Sequence, residues 1–360
     1  MPRFCRPGAC AAALAGLLLV GSTAHADTFQ GTLYYTRFSG TPNVTSLAFS
    51  YNDASHALTY GTQNNLASLN GADGIMFAPN GDLLVTSNSV GNVYRLNASN
   101  GNLLQTVSTG GPPDFHMALD PTGTKFYSSD RYTRGTGPLD TFAIDANGTI
   151  HNATTTAITG GDTNVTQLAF APNGKILYTD GTPNRLGSIG LFNFGSPDTT
   201  TQLIPANQVN AAHGVVYDPF TGLWTMFGGG SVATLDPNGA TNADIIASLK
   251  QRNGINADFD QGSVDGFGHA LIAGNGQITF IDYSQTHDIT SAANTIIIRS
   301  VDGAGNGFGA LDDVAPLVGL GSQTSTPEPA SVVLLATGGL GLLAVRLRRR
   351  RLAAAQNPLG

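Results

Sequence analysis

Four stretches of this chain repeat one device: an apolar strand runs into a proline-to-glycine turn and returns as a second apolar strand. Gly74-Ile-Met-Phe-Ala-Pro-Asn-Gly81 leads into Leu83–Thr86, and His116-Met-Ala-Leu-Asp-Pro-Thr-Gly123 leads into Lys125–Ser128. Leu168-Ala-Phe-Ala-Pro-Asn-Gly174 leads into Ile176–Thr179, and Gly214-Val-Val-Tyr-Asp-Pro-Phe-Thr-Gly222 into Leu223–Met226. A degenerate copy runs from Ala257-Asp-Phe-Asp260 to Gly268-His-Ala-Leu-Ile272. Proline presets φ and glycine accepts the left-handed position, so each copy is a hairpin. After the first copy, Val93–Leu96 and Leu103–Val107 read as two further strands, which makes four strands per unit.

A single four-stranded unit cannot bury both of its faces, so neighbours must stack, and a closed ring removes the exposed ends. The anchors Phe77, Leu119, Phe170, Tyr217 and Phe259 recur 42, 51, 47 and 42 residues apart, the length of a propeller blade. The expected fold is therefore all-β, a β-propeller of about six blades within a range of five to seven. A β-sandwich or solenoid is the competing architecture, since the spacing is uneven. Asn43–Phe49 matches Asn164–Phe170 closely, yet Phe49 and Phe77 are only 28 residues apart, so the first unit is short. Thr32–Arg37 is expected to pair with Thr295–Arg299 and close the ring.

Composition agrees with a turn-rich β protein. Of 24 acidic residues, 23 are Asp and one, Glu328, is Glu, and there are only three Lys. The best surface helix formers are nearly missing, which excludes a helical bundle. Between residues 27 and 326 stand 23 Asp against 10 Lys and Arg, a net charge of −13. No basic stripe is left to track phosphates, which excludes nucleic acid as a partner.

The two ends read as processing and membrane segments. Arg3 and Arg6 precede the apolar run Ala11–Gly21, and Ala24-His25-Ala26 is a small-x-small site. That order is a secretory signal peptide, with cleavage expected after Ala26. Both cysteines, Cys5 and Cys10, fall within it, so the mature chain has no thiol for a disulfide or a thiolate metal site. At the far end, Pro327-Glu328-Pro329 precedes the uncharged run Ala330–Val345 and then Arg346, Arg348, Arg349, Arg350 and Arg351. The run is marginally long enough to span, and the arginines predict that this end stays cytoplasmic. The expected organisation is a signal peptide at 1–26, the propeller at 27–318, a linker with the Pro-Glu-Pro motif at 319–329, a transmembrane helix at 330–347 and a basic tail at 348–360.

Pro327-Glu328-Pro329, the Gly/Leu-rich span and the arginine cluster together resemble a PEP-CTERM sorting signal. The resemblance implies export in a Gram-negative bacterium, recognition at the inner membrane by an exosortase, and association with exopolysaccharide, biofilm or envelope proteins. It covers roughly the last 30 residues, and the tail from Leu352 to Gly360 is longer than that signal ordinarily has. The two prolines suit a processing site, because they hold Glu328 extended and outside any helix. The repeat style of the middle is similar to that of the six-bladed propellers that include NHL-repeat proteins, gluconolactonase-like enzymes and streptogramin lyases. It carries no catalytic motif.

Candidate chemistry in the middle rests on three residues. Asp73 and His213 stand six residues before Pro79 and Pro219, where the innermost strand of a blade faces the central channel. His116 stands five before Pro121, one step out of phase, which turns it to the other face unless a bulge intervenes. Imidazole and carboxylate converging on the axis would bind a divalent metal, the one candidate cofactor. Asn164 and Asp258 are looser candidates. Asp258, Asp260 and Asp265 lack the spacing of a calcium loop, and Gly303–Gly309 opens no helix that would hold a phosphate. Two functions are open: a binding or scaffold propeller at the cell surface, or an exported metal-dependent lyase or lactonase built on Asp73, His116 and His213. Trp224, the single tryptophan, is thin provision for a sugar-stacking platform.

Overall fold

In the computed structural model the described residues are 28–315, apart from 110, 112–113, 131–138, 163, 182–186, 257 and 275. The expected signal peptide, the Pro-Glu-Pro linker, the expected transmembrane helix and the arginine cluster lie outside them. Among the described residues, no helix is long and apolar enough to cross a membrane. Of two compact units, 30–51 with 56–321 carries the repeats. In the other, the described Asn52 side chain accepts hydrogen bonds from the backbone amide and hydroxyl of Ser55.

The four proline-to-glycine hairpins read from the repeat form, and each grows into a separate sheet. The chain opens with β1 (Thr28–Arg37), β2 (Val44–Asn52), β3 (Ala57–Tyr60) and β4 (Asn64–Ala67), the last two both pairing with β2. The first complete blade is β5 (Ile75–Phe77), β6 (Leu83–Thr86), β7 (Asn92–Leu96) and β8 (Leu103–Ser108). The second is β9 (Asp114–Leu119), β10 (Lys125–Asp130), β11 (Leu139–Ile144) and β12 (Ile150–Thr156). In the third, β13 (Ile158–Gly160) adds in parallel to the outer edge of β14 (Gln167–Phe170), β15 (Ile176–Thr179), β16 (Ile189–Asn193) and β17 (Asp198–Ile204). The fourth is β18 (Gly214–Asp218), β19 (Leu223–Gly228), β20 (Ser231–Leu235) and β21 (Lys250–Arg252), with the short helix α1 (Asn242–Ala247) before its last strand. The fifth is β22 (Gly262–Val264), β23 (His269–Gly274), β24 (Gln277–Asp282) and β25 (Thr295–Arg299). Finally β26 (Leu311–Val314) pairs with β1 and becomes the innermost strand of the blade that opened the chain.

That last pairing corrects the expected closure. Thr295–Arg299 is the outer strand of the fifth blade, bonded to β24, and β1 is joined instead by Leu311–Val314. The closing strand has to lie at the axis, and its sequence, Leu-Asp-Asp-Val, hides its strand character behind two acidic residues. The closure also explains the short first unit, because the sixth blade draws its inner strand from the other end of the chain. One anchor shifts as well. Val264, paired with Ala270, is the counterpart of Tyr217 paired with Trp224, so Phe259 is not the repeat position. The innermost strands β5, β9, β14, β18, β22 and β26 contact one another in that order, and β26 meets β5 again. Six sheets in a closed ring replace the sandwich and solenoid alternatives.

Between blades the faces are packed with apolar side chains. Met76, Leu84 and Val93 meet Met117, Phe126 and Phe142, and Phe126 stacks on Phe142 at 4.5 Å. Trp224 is fully buried against the third blade, and its indole N–H donates to the carbonyl of Ala169 at 3.2 Å. No cysteine stands among the described residues, so these interfaces carry the stability of the ring.

Candidate metal centre on the propeller axis

Close approach of the inner strands begins with glycine. Gly74 and Gly214 directly follow Asp73 and His213, and a Cβ on Gly74 would stand 2.2 Å from the carbonyl of Phe115. On Gly214 it would stand 3.0 Å from the carbonyl of Asp260. The missing side chains let each inner strand lie against the next, which brings the preceding Asp or His to the centre. Threonines of the second strands hold that approach: Thr36 donates to the carbonyl of Asp73 at 2.5 Å, Thr86 to that of Phe115, and Thr179 to that of His213 at 2.5 Å.

All three sequence candidates reach the axis. The phase problem of His116 is resolved by a bulge: three residue steps from Asp114 to Met117 face two from Ser128 to Asp130. A bulge re-aims a side chain in this way. His116 Nε2 lies 2.9 Å from His213 Nε2, although the residues are 97 positions apart. His213 Nδ1 faces the carbonyl of Gly181 at 3.0 Å, which turns Nε2 toward the centre. Three further carboxylates join them. Asp260 Oδ1 is 2.5 Å from His213 Nε2, and Asp313 Oδ2 is 2.9 Å from His116 Nδ1. Asp312 is hydrogen-bonded to Asp260. Five blades thus supply titratable groups, and the third supplies Gln167, whose amide oxygen accepts from Val215 N at 2.7 Å.

The loose candidate Asp258 is not among the converging acidic and imidazole donors. Sequence reasoning missed Asp260, Asp312 and Asp313. Asp260 stands just before the innermost strand of its blade, as Asp73 and His213 do, so it was findable once Val264 replaced Phe259 as the repeat anchor. Asp312 and Asp313 were hidden by the misplaced closure.

The centre is crowded with charge and poor in hydrogen bonds. Asp73, His116, His213, Asp312 and Asp313 are all buried. Burial, reinforced by the charge of Asp313, pushes Asp73 up to about 8. Burial alone would lower His116, but the adjacent Asp313 carboxylate outweighs it and raises the imidazole to about 9. Burial holds Asp312 far above the carboxylate range, with Asp73 and Asp260 adding to the effect, and burial raises Asp313 as well. Asp260 is depressed, since the imidazole of His213 overcomes its burial. Asp312 Oδ2 and Asp313 Oδ1 are buried without a hydrogen-bond partner, while Asp313 Oδ2 is held by His116 Nδ1. Buried polar atoms are normally satisfied. Unsatisfied carboxylate oxygens beside two converging imidazoles fit a divalent cation, which imidazole and carboxylate bind directly.

No protein-family model matches the chain, and no curated protein does. Among solved structures, a chain of a nidogen/laminin complex superposes with a TM-score of 0.55 at 11% identity, covering 80% of this chain and 98% of that one. A provisionally assigned 6-phosphogluconolactonase from Bacteroides fragilis gives 0.49 at 13% identity, over 81% of this chain and 98% of its own. A virginiamycin B lyase from Staphylococcus aureus gives 0.45 at 10% identity, over 76% and 88%. At these identities the likeness is one of fold.

Proposed function

We propose that this chain is an exported six-bladed propeller, sorted by an exosortase to the cell surface or extracellular matrix, whose working centre is a divalent-cation site on the propeller axis. The observation that carries the metal reading is the convergence of His116, His213 and Asp260, whose donor atoms all lie within 4.8 Å of one another. Nothing but a cation or protons satisfies so many buried carboxylates together. A bound cation would tie the second, fourth and fifth blades together at their centre. The propeller would then present its outer surface and loops to exopolysaccharide or envelope proteins as a scaffold. The sorting reading is supported by the order of Pro327-Glu328-Pro329, the apolar span and the arginine cluster, with a signal peptide at the opposite end.

A second reading, an exported metal-dependent lyase or lactonase, is favoured by one observation. The side chain of Asp260 is 14% exposed, so solvent reaches this member of the otherwise buried triad. There the cation would act as a Lewis acid toward a bound carbonyl oxygen.

Metal content of the purified protein tests the centre. One or more tightly held equivalents are expected, and His213→Ala should lower that content with the fold retained by circular dichroism. A protein that stays metal-free in excess cation would overturn both readings of the axis. Sorting is tested separately by the intact mass of the native-host protein. We expect a mass that ends near Pro329, restored to full length by Glu328→Gln; a mass running to Gly360 in the unsubstituted protein would mean a plain tail anchor.

A further inference from the structure

We infer that the axial centre holds two divalent cations, joined by the carboxylate of Asp260. This rests on the reading of the axis as a metal centre and deepens it. Donors to one first-row cation, each about 2.0–2.2 Å from it, lie no more than about 4.4 Å apart. The six donor side chains sort into three triads, each within a span of 4.8 Å: His116 with His213 and Asp260, Asp73 with His116 and Asp313, and Asp260 with Asp312 and Asp313. His213 belongs only to the first triad and Asp312 only to the last, while Asp260 belongs to both. The centre therefore has a nitrogen-rich end and an all-oxygen end that share Asp260, and the His116–Asp313 pair of the middle triad links them as well. Asp260 contacts His213 at 2.5 Å and is hydrogen-bonded to Asp312, so it touches both ends. Paired cations about 3.5–4 Å apart are held in such settings.

Charge balance points to the same count. Asp73, Asp260, Asp312 and Asp313 carry four negative charges when ionised, and among the described residues their ion-pair partners are His116 and His213. A cation seated on both imidazoles takes the place of their protons, so the carboxylates lose those positive charges. One divalent ion then leaves two carboxylates uncompensated in a buried site, and a second closes the balance. The unsatisfied atoms mark where it would sit. Asp313 is 0% exposed and its Oδ1 has no partner, its Oδ2 being taken by His116, and Asp312 Oδ2 is equally unpartnered. The nitrogen-rich end suits zinc-like ions and the all-oxygen end suits manganese, magnesium or calcium.

Manganese serves as the probe, because it accepts both donor sets and reports on its neighbours. The purified protein, stripped with chelator and dialysed against Mn2+, is expected to retain two equivalents. Its electron paramagnetic resonance spectrum should be spin-coupled, without the six-line pattern of isolated Mn2+. Asp312→Asn, close to isosteric, should lower the content to one equivalent and restore the six lines. His213→Gln should also lower it to one, from the other end. A wild-type protein with one equivalent and a six-line spectrum would overturn the second cation while leaving the single-cation reading intact. No bound manganese would overturn both. Two equivalents with uncoupled spectra would overturn the Asp260 bridge. The wild-type spectrum decides these cases even where a variant fails to fold.

Discussion

Asp73 illustrates how a residue's surroundings set its chemistry. In water its carboxyl would ionise near 3.8, but burial, with Asp313 nearby, moves it to about 8. A carboxyl raised in the folded state contributes stability that is complete below 3.8 and is lost as pH rises through about 8. His116, raised to about 9 with Asp313 beside it, contributes stability that is present below 6.5 and is lost as pH rises through about 9. Both groups act in the same direction. The chelator-stripped protein should therefore melt at progressively lower temperature as pH rises from about 5 to about 9, as thermal denaturation will show. A melting temperature that stays flat or climbs over that range would mean that Asp73 and His116 are not held protonated in the stripped fold. In the cation-loaded protein the trend should weaken or reverse, because cation and protons compete for the same atoms.

At the scale of elements, the molecule is held by contacts between one blade's second strand and the next blade's inner strand. Thr36 on β1 donates to the carbonyl of Asp73 and accepts from the amide of Asp313 at 3.1 Å, so one hydroxyl ties the closing blade to the first and seats β26. Thr36→Val keeps the shape and orphans two buried backbone groups, which should cost about 1–3 kcal/mol in denaturant unfolding. An unchanged midpoint would show that the latch is replaceable. Gly74→Ala presses a methyl against the Phe115 carbonyl beside the bulge that aims His116, and overpacking of this kind typically costs about 1–3 kcal/mol. Because the displaced strand carries a candidate ligand, this variant should also lose metal affinity. A stability loss with metal content unchanged would separate the packing of the inner strands from the centre.

At the scale of the whole molecule, closure makes the blades interdependent. Trp224, the one tryptophan, sits fully buried between the third and fourth blades, far in sequence from the β1–β26 seam. If the ring unfolds as a unit, its blue-shifted fluorescence should change in the same transition as the circular dichroism of the sheets. A Trp224 transition displaced from the sheet transition would mean that blades melt singly, as in an open repeat array. Trimming Leu311–Val314 removes the inner strand of the closing blade together with Asp312 and Asp313. It should lower the single transition steeply and abolish metal retention.

Much of this architecture can be read along the chain. The hairpin repeat needs only local information: apolar strands, turns in which proline and glycine set the backbone, and a length that no isolated sheet could bury. The same periodicity marks Asp73 and His213 as axial, because a residue's place before its turn decides which way it points. His116 needed a bulge, and a bulge depends on pairing with a neighbouring strand. Asp312 and Asp313 needed to be known as an inner strand, which depends on where the two ends of the chain meet. The sequence by itself therefore determined the blades, their approximate number and the order of charged and apolar segments at the termini. Only the tertiary structure decided which ends join and which carboxylates share the axis, because ring closure brings together groups as distant as Thr36 and Asp313, 277 residues apart, and no local preference encodes a contact at that separation.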